Sequence, residues 1–200
     1  MMNQLSESEL KSFLGKKVSD DYGRSLGRII SVKLNSFGEM EEVELEKGSG
    51  ELERIPMEQL TIAGDAAIAI SRWKTEVEVL LKEIASAQRR MDALVALIKR
   101  EEMPKNLYEE LLRKQEDGLE NLREKKSCAI KVLQGRNRDL DSQVEELTKM
   151  LIEIRAGKWS KDFSKRAYEV ASKSIEPNLE FVTKERKELA NYLEKLTKLL

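Results

Sequence analysis

The most constraining feature of this 200-residue sequence is a hydrophobic repeat that is too long for one small domain to bury. From residue 112 to residue 154, apolar side chains recur at steps of four and three, the heptad pattern of a helix that packs along another helix. One four-four step across Leu122, Lys126 and Ile130 is a local stutter. The pattern predicts a helix over 105–156 that pairs with other helices of the chain, with a second chain, or with both.

We predict that this middle seam holds a homodimer, because it is long and has few polar interruptions. Polar residues at seam positions, such as Asn137, usually set register and oligomeric state rather than add stability. The predicted dimer contacts are Leu119, Leu122, Ile130, Leu133, Asn137, Leu140, Val144, Leu147, Leu151 and Ile154.

Two shorter seams flank the middle one. Pro104 ends the first helix and suits the first turn of the next. Gly157 and Pro177 predict two further interruptions, because glycine weakens a helix and proline removes a backbone donor. The expected helices are 72–102, 105–156, 159–175 and 178–200. The first predicted seam comprises Val77, Leu81, Ile84, Gln88, Met91, Val95 and Ile98, and the last comprises Leu179, Val182, Arg186, Leu189, Leu193, Leu196 and Leu200.

The first 70 residues have a different character. Seven of the ten glycines lie before residue 65, and dense glycine indicates tight turns. Residues 1–70 hold 8 Lys/Arg and 13 Asp/Glu, a net of −5, whereas residues 71–200 hold 28 and 24, a net of +4. Period-2 alternation predicts about six short strands. In the longest, from Leu26 to Leu34, Ile30 is predicted to share a face with Leu26 and Val32, and Ile29 to lie on the other. We therefore predict an α+β fold, with a small antiparallel β-barrel over 1–70 and a helical coiled-coil domain over 71–200.

The first part resembles the PRC-barrel family. The resemblance rests on the stretch LGKKVSDDYGRSLGRIISVKLN, on an acidic VELEKGSGE hairpin and on the closing segment RIPMEQLTIAGD, and it covers roughly residues 12–70. It implies a module for protein–protein contact or assembly, with no catalytic residues.

Composition excludes several kinds of chemistry. The chain has no histidine and one cysteine, Cys128, so an internal disulfide and a multi-cysteine zinc site are excluded. We find no phosphate-binding loop, nucleophile elbow or dinucleotide fingerprint. We expect no enzyme activity, no cofactor and no metal. The first residues, MMNQLSESEL, lack the pattern of a signal peptide, so we expect a cytoplasmic protein.

A basic segment with aromatic residues lies between Gly157 and Pro177. Residues 155–173 hold six Lys/Arg and two acids, a net of +4. As a helix, the segment would place Trp159, Phe163 and Val170 on one face. It could bind an anionic membrane surface or phosphates, or its rings could simply pack on a neighbouring element. The candidate contacts are Trp159, Lys161, Phe163, Lys165, Arg166 and Lys173.

Other basic residues, Arg89-Arg90, Lys99-Arg100, Arg136 and Arg138, could meet a nucleic-acid backbone. Neighbouring acids such as Asp92 and Asp139 favour solvated helix faces instead.

A PRC-barrel-like part followed by about 130 residues of coiled coil resembles the CdvA family of archaeal cell-division proteins. The resemblance implies a filament-forming scaffold at the mid-cell division site. It implies self-assembly, recruitment of an ESCRT-III-like protein by a short peptide that follows the coiled coil, association with DNA and peripheral association with membrane. In this sequence the heptad seam still runs at Leu200. The alternative is a nucleoid-associated, nucleic-acid-binding coiled coil.

Overall fold

Six short strands come first and three long helices follow, which confirms the α+β class. The computed structural model describes residues 14–63, 66–100 and 104–199. The strands are β1 (Lys17–Asp20), β2 (Ser25–Leu34), β3 (Met40–Glu46), β4 (Leu52–Pro56), β5 (Leu60–Ala63) and β6 (Ala66–Ala69), with a 3-10 turn at Met57–Gln59. The helices are α1 (Arg72–Lys99), α2 (Lys105–Ser160) and α3 (Lys165–Lys198).

The strands form one sheet, in the order β4-β3-β2-β1-β6-β5. Every neighbouring pair is antiparallel except β1 and β6, which run parallel. The sheet thus differs in two respects from the closed or nearly closed antiparallel barrel that was expected, since it is mixed and its described strands do not close. The edge strands β4 and β5 are connected by the 3-10 turn, and no backbone ladder between them is present among the described strands.

One face of the sheet carries the core of the N-terminal part. Its members are small or β-branched residues and leucine, which suit a short pleated surface: Val18, Ile29, Val43, Leu45, Ile55, Ala67 and Ala69. Ile29 is fully buried and Ile30 is exposed, the reverse of the predicted alternation. A register shift between Ile29 and Ser31 explains the reversal, because an extra residue in a strand exchanges the two faces.

The turn between β1 and β2 positions the sheet on a helix. Asp20 accepts hydrogen bonds from the amides of Tyr22 (3.0 Å) and Arg24 (2.7 Å), which closes the turn. Gly23 takes φ 103°, and a Cβ there would lie 3.0 Å from the ring of Phe181 on α3. Asp21 also binds the side chain of Lys74 at 3.1 Å.

The chain divides into two compact units. Residues 1–75 and 149–184 form one unit, and residues 76–148 and 185–200 form a second. This division does not coincide with the predicted boundary at residue 71.

The helices are fewer and longer than predicted, because Gly157 lies inside α2 and Pro177 lies inside α3. A helical glycine costs only about 1 kcal/mol relative to alanine. Proline costs about 3 kcal/mol by removing one bond to the residue four positions earlier. Both Pro177 and Lys173, whose carbonyl loses that bond, are exposed to water, while Ser172 and Val182 on either side are buried. Burial on both sides therefore carries the helix through the proline.

The buried stripes of α1 and α3 are shifted from the predicted seams. On α1 the buried residues are Val77, Leu80, Ile84, Ala87 and Leu94, so Leu80, Ala87 and Leu94 replace the predicted Leu81, Gln88 and Val95. On α3, Glu185 and Tyr192 are buried where Arg186 and Leu193 were predicted. A helix that contacts two neighbours buries a wider face than a two-helix seam, and that face contains two overlapping heptad registers. Leu200 of the predicted seam lies outside the described residues.

Replacing Gly27 by alanine is expected to destabilise the sheet by about 2 kcal/mol or more, because a Cβ at this position would overlap the carbonyl group of Glu46 on the paired strand. Thermal unfolding followed by circular dichroism measures the effect. Gly48→Ala is the matched control, since no atom lies within 4 Å of its Cβ position and its φ is not positive. Equal melting temperatures of the two variants would contradict the contact.

Candidate assembly and surface-binding sites

A buried ion pair joins α2 to α3 within the second unit. Arg136 donates from Nε and Nη2 to the two carboxylate oxygens of Glu185, at 2.8 and 3.0 Å. The Glu185 side chain is only 2% exposed. Asp141 of α2 binds Arg186 of α3 at 3.1 Å, about one helical turn away from this pair. A two-bond fork of this kind compensates for desolvation and selects one rotational setting of the helices.

The first helix belongs to the same unit and contacts both others. Glu83 of α1 binds Lys125 of α2 at 3.3 Å, and Glu78 of α1 accepts a 2.6 Å hydrogen bond from the Tyr192 hydroxyl of α3. The second unit is therefore built from three helices of one chain. The heptad pattern does not reveal Glu185, Tyr192 and Glu78, because polar residues beside a seam look solvated in sequence.

Every residue of the predicted dimer seam lies on the inward side of α2. Leu122, Leu133, Leu140 and Leu151 are buried within the single chain. The others are half-buried: Leu119, Ile130, Asn137, Val144, Leu147 and Ile154. Pairing of helices within the chain, one of the expected solutions, thus uses part of this surface. Dimerisation through the remainder stays a prediction.

The basic segment is not one amphipathic helix. It comprises the end of α2, the start of α3 and the connection between them. Trp159 lies in the last turn of α2, Lys161 and Phe163 lie in the connection, and Lys165, Arg166 and Lys173 lie on α3. The expected common face of Trp159, Phe163 and Val170 on one helix is therefore wrong. We call residues 158–166 the hairpin tip.

Local hydrogen bonds and one close approach shape the hairpin tip. Lys161 has φ 67°, the left-handed conformation that commonly ends helices. The Phe163 amide donates to the Gly157 carbonyl at 3.0 Å, and the Ser164 hydroxyl accepts from the Ala167 amide at 3.1 Å as the N-cap of α3. A Cβ on Gly157 would overlap the Phe163 ring, so glycine lets this ring lie against α2.

The hairpin tip is positively charged and partly apolar at its surface. Trp159 is 87% exposed and Phe163 is 46% exposed. Lys165 makes a 3.8 Å ion pair with Glu169, and the Lys158 ammonium lies 4.1 Å from the ring centroid of Tyr168. Lys161, Arg166 and Lys173 have no ion pair among the described residues. The structure therefore brings together five of the six predicted contact residues, with Lys173 about two turns further along α3.

Of the other basic residues that could contact a nucleic-acid backbone, some are exposed and one is engaged within the chain. Arg136 is held by Glu185, whereas Arg89, Arg90 and Arg138 are exposed and donate to carbonyls of their own helices. Lys99 and Arg100 are exposed at the end of α1. Arg136 is therefore engaged in the pairing of α2 with α3, and the other cations lie at the surface.

Acidic residues of the sheet are largely engaged by neighbouring cations. The pKa of Lys33 is raised, first by its hydrogen bond to Glu41 and the charge of that residue and then by Glu42. The pKa of Lys47 is raised by the hydrogen bond and charge of Glu53. Arg54 binds Glu44 at 2.9 Å across β4 and β3. The negative charge of this part is thus distributed in cross-strand pairs.

No group of three or more potential metal ligands lies together in the part of the chain that the structure describes. Cys128 is exposed. Among the helices described, none has a stretch long and apolar enough to cross a bilayer.

Comparison with known proteins identifies the helical part. The CdvA-like coiled-coil domain matches residues 72–200, which is more than half of the chain. The chain belongs to the CdvA family. A relative in this family, Cell division protein A of Sulfolobus acidocaldarius, is 28% identical over 187 residues, covering 94% of this chain and 78% of the relative. The CdvA-family match begins at the first residue of α1.

In this CdvA-family chain, Arg136→Met is expected to lower the free energy of unfolding by about 2 kcal/mol, because it removes both hydrogen bonds of the arginine to the buried Glu185 carboxylate. Chemical denaturation measures the loss. Arg138→Met is the matched control: Arg138 is exposed, makes one bond to the Gln134 carbonyl, and should change stability by less than about 0.5 kcal/mol. Similar losses in both variants would show that the ion pair does not stabilise the helices.

Proposed function

We propose that this chain is a non-enzymatic, filament-forming scaffold of archaeal cell division, which assembles at the mid-cell division site in the cytoplasm and recruits an ESCRT-III-like protein to membrane. Membership of the CdvA family and the name of the Sulfolobus relative support the role in division. The exposed apolar residues of the sheet support self-assembly.

The observation that carries the proposal is a pair of apolar points at opposite ends of β3. At one end, the hairpin between β2 and β3 exposes Phe37 (89%), and at the other end the start of β4 exposes Leu52 (64%). Seven residues of β3 separate the ends by about 20 Å. Contact between two different points on identical chains is head-to-tail, and it generates an open polymer unless the rotation between successive copies closes a ring.

Dimerisation would make this polymer multivalent. We assign the dimer contact to the half-buried part of the α2 seam, including Ile130, Val144 and Leu147, which the intrachain packing leaves partly accessible. Leu140 is fully buried within the chain, so a charge at Leu140 tests folding rather than dimerisation. Many weakly binding copies along a filament give high avidity for a recruited protein or a membrane.

Nucleic-acid binding is the second candidate, favoured by the net +4 of residues 71–200 and by the exposed Arg89, Arg90 and Arg138. Salt separates the two functions. The logarithm of the binding constant for phosphates falls steeply and linearly with the logarithm of the salt concentration, whereas assembly through apolar contacts does not weaken in this way. Sedimentation of the chain with and without duplex DNA over a salt series therefore distinguishes a scaffold from a nucleoid protein.

Phe37→Ser and Leu52→Ser are each expected to abolish filaments in the full chain, because each removes one of the two apolar contact points. Negative-stain microscopy and pelleting by ultracentrifugation measure polymer, and light scattering measures the dimer, which should persist. Val132→Ser is the matched control, since Val132 is a 57% exposed apolar residue on α2. Filaments of normal length from both sheet variants would refute the assembly role of the sheet, and loss with only one variant would indicate contact between like ends.

A further inference from the structure

The hairpin tip exposes a large ring that the described chain does not cover. Trp159 is 87% exposed, Phe163 of the same tip is 46% exposed, and Val170, in the second turn of α3, is 65% exposed. Tryptophan combines a large apolar body with one polar N–H, and it is enriched where one side of a site is apolar and the other is wet. Exposure of this residue beside other apolar side chains therefore suggests a surface that is covered in use.

The charges around the ring define what covers it. Residues 158–166 contain four cations, Lys158, Lys161, Lys165 and Arg166, against one acid, Asp162, which gives a net of +3. Asp162 accepts a hydrogen bond from the Ser160 hydroxyl, and Lys165 has only its 3.8 Å pair with Glu169 among the described residues. Lys161 and Arg166 have no ion pair in the described part of the chain. The complement of this surface is anionic and has an apolar layer immediately beneath the charge.

We infer that the hairpin tip inserts end-on into the surface of an anionic lipid bilayer, with Trp159 at the level of the headgroups and Lys161, Lys165 and Arg166 on their phosphates. The inference rests on the proposed scaffold and assigns its membrane contact. The turn at Lys161 reverses the chain between α2 and α3, so the segment cannot lie flat on a membrane as a single amphipathic helix. Lipid fits better than nucleic acid because the adjoining second turn of α3 also exposes aliphatic Val170, and base stacking makes no use of an aliphatic side chain.

Flotation of the full chain with vesicles tests the inference. Vesicles of phosphatidylcholine alone are compared with vesicles of equal parts phosphatidylcholine and phosphatidylglycerol. Because each surface cation contributes about fivefold to partitioning, Lys161→Glu/Lys165→Glu/Arg166→Glu should lose binding to the anionic vesicles by about a hundredfold or more. Trp159→Ser should lose roughly tenfold, through loss of apolar burial.

A matched charge variant controls for net charge. Lys114→Glu/Lys131→Glu/Lys149→Glu changes three exposed lysines of α2, and both triple variants change the net charge from −1 to −7. The control should bind anionic vesicles within a fewfold of the wild type. Equal loss in both variants, undiminished binding by the tip variant, or no binding by the wild type would each overturn the inference. So would loss of binding to single-stranded or duplex DNA, but not to vesicles, by the tip variant.

The fluorescence of Trp159 tests insertion independently of flotation. Trp73→Phe leaves Trp159 as the only tryptophan, and its emission should shift to shorter wavelength on anionic vesicles only. Adding Phe37→Ser, which removes another exposed ring, should leave this shift unchanged even where loss of filaments reduces flotation by lowering avidity. An absent shift would overturn the inference. Filament formation without vesicles is measured on the same tip variants and should be normal, so failure of the membrane contact and failure of the scaffold are separate results.

Discussion

The apolar stripe of a 56-residue helix cannot remain in water, and the structure depends on how that stripe is covered. Leu133 and Leu140 of α2 are buried in the second unit, which also contains most of α1 and the last part of α3. Arg136 lies between these two leucines and binds the buried Glu185. A different rotational setting of α3 would leave that carboxylate buried without its arginine, at a cost of several kcal/mol. The pair therefore selects one arrangement among those that a repetitive apolar stripe would allow.

The features that bear on function lie at the surface of the first unit. In the first unit, the sheet buries its core on one face and exposes apolar residues at the two ends of β3. The hairpin tip in the same unit carries an exposed tryptophan among cations. These features suit the proposed scaffold, because each exposes apolar side chains that a second copy or a membrane could cover.

Local pattern predicted much of the fold, and failed where a residue's effect depends on distant neighbours. The number of strands and the position of the longest one followed from alternation and glycine turns, and the middle seam followed from its heptads. The inversion of Ile29 and Ile30 was missed, because a bulge is produced by pairing with β3 and leaves no mark in β2 alone. The uninterrupted α3 was missed because the cost of Pro177 is intrinsic and readable, whereas the burial of Ser172 and Val182 that offsets it is tertiary. The basic and aromatic residues of the hairpin tip were found as a group, but their arrangement around a turn was not.

By itself, the sequence determined the α+β class, the change from short strands to long helices near residue 71, and the inward side of α2, because backbone propensity and hydrophobic period are local properties. Tertiary structure decided which of two overlapping registers α1 buries, why Glu185 can be buried at all, and that the sheet is open and mixed. It also decided that Trp159 lies at the end of a helix and faces solvent. Each of these depends on which surfaces meet, and the free energy of such a contact belongs to the pair of elements rather than to either one.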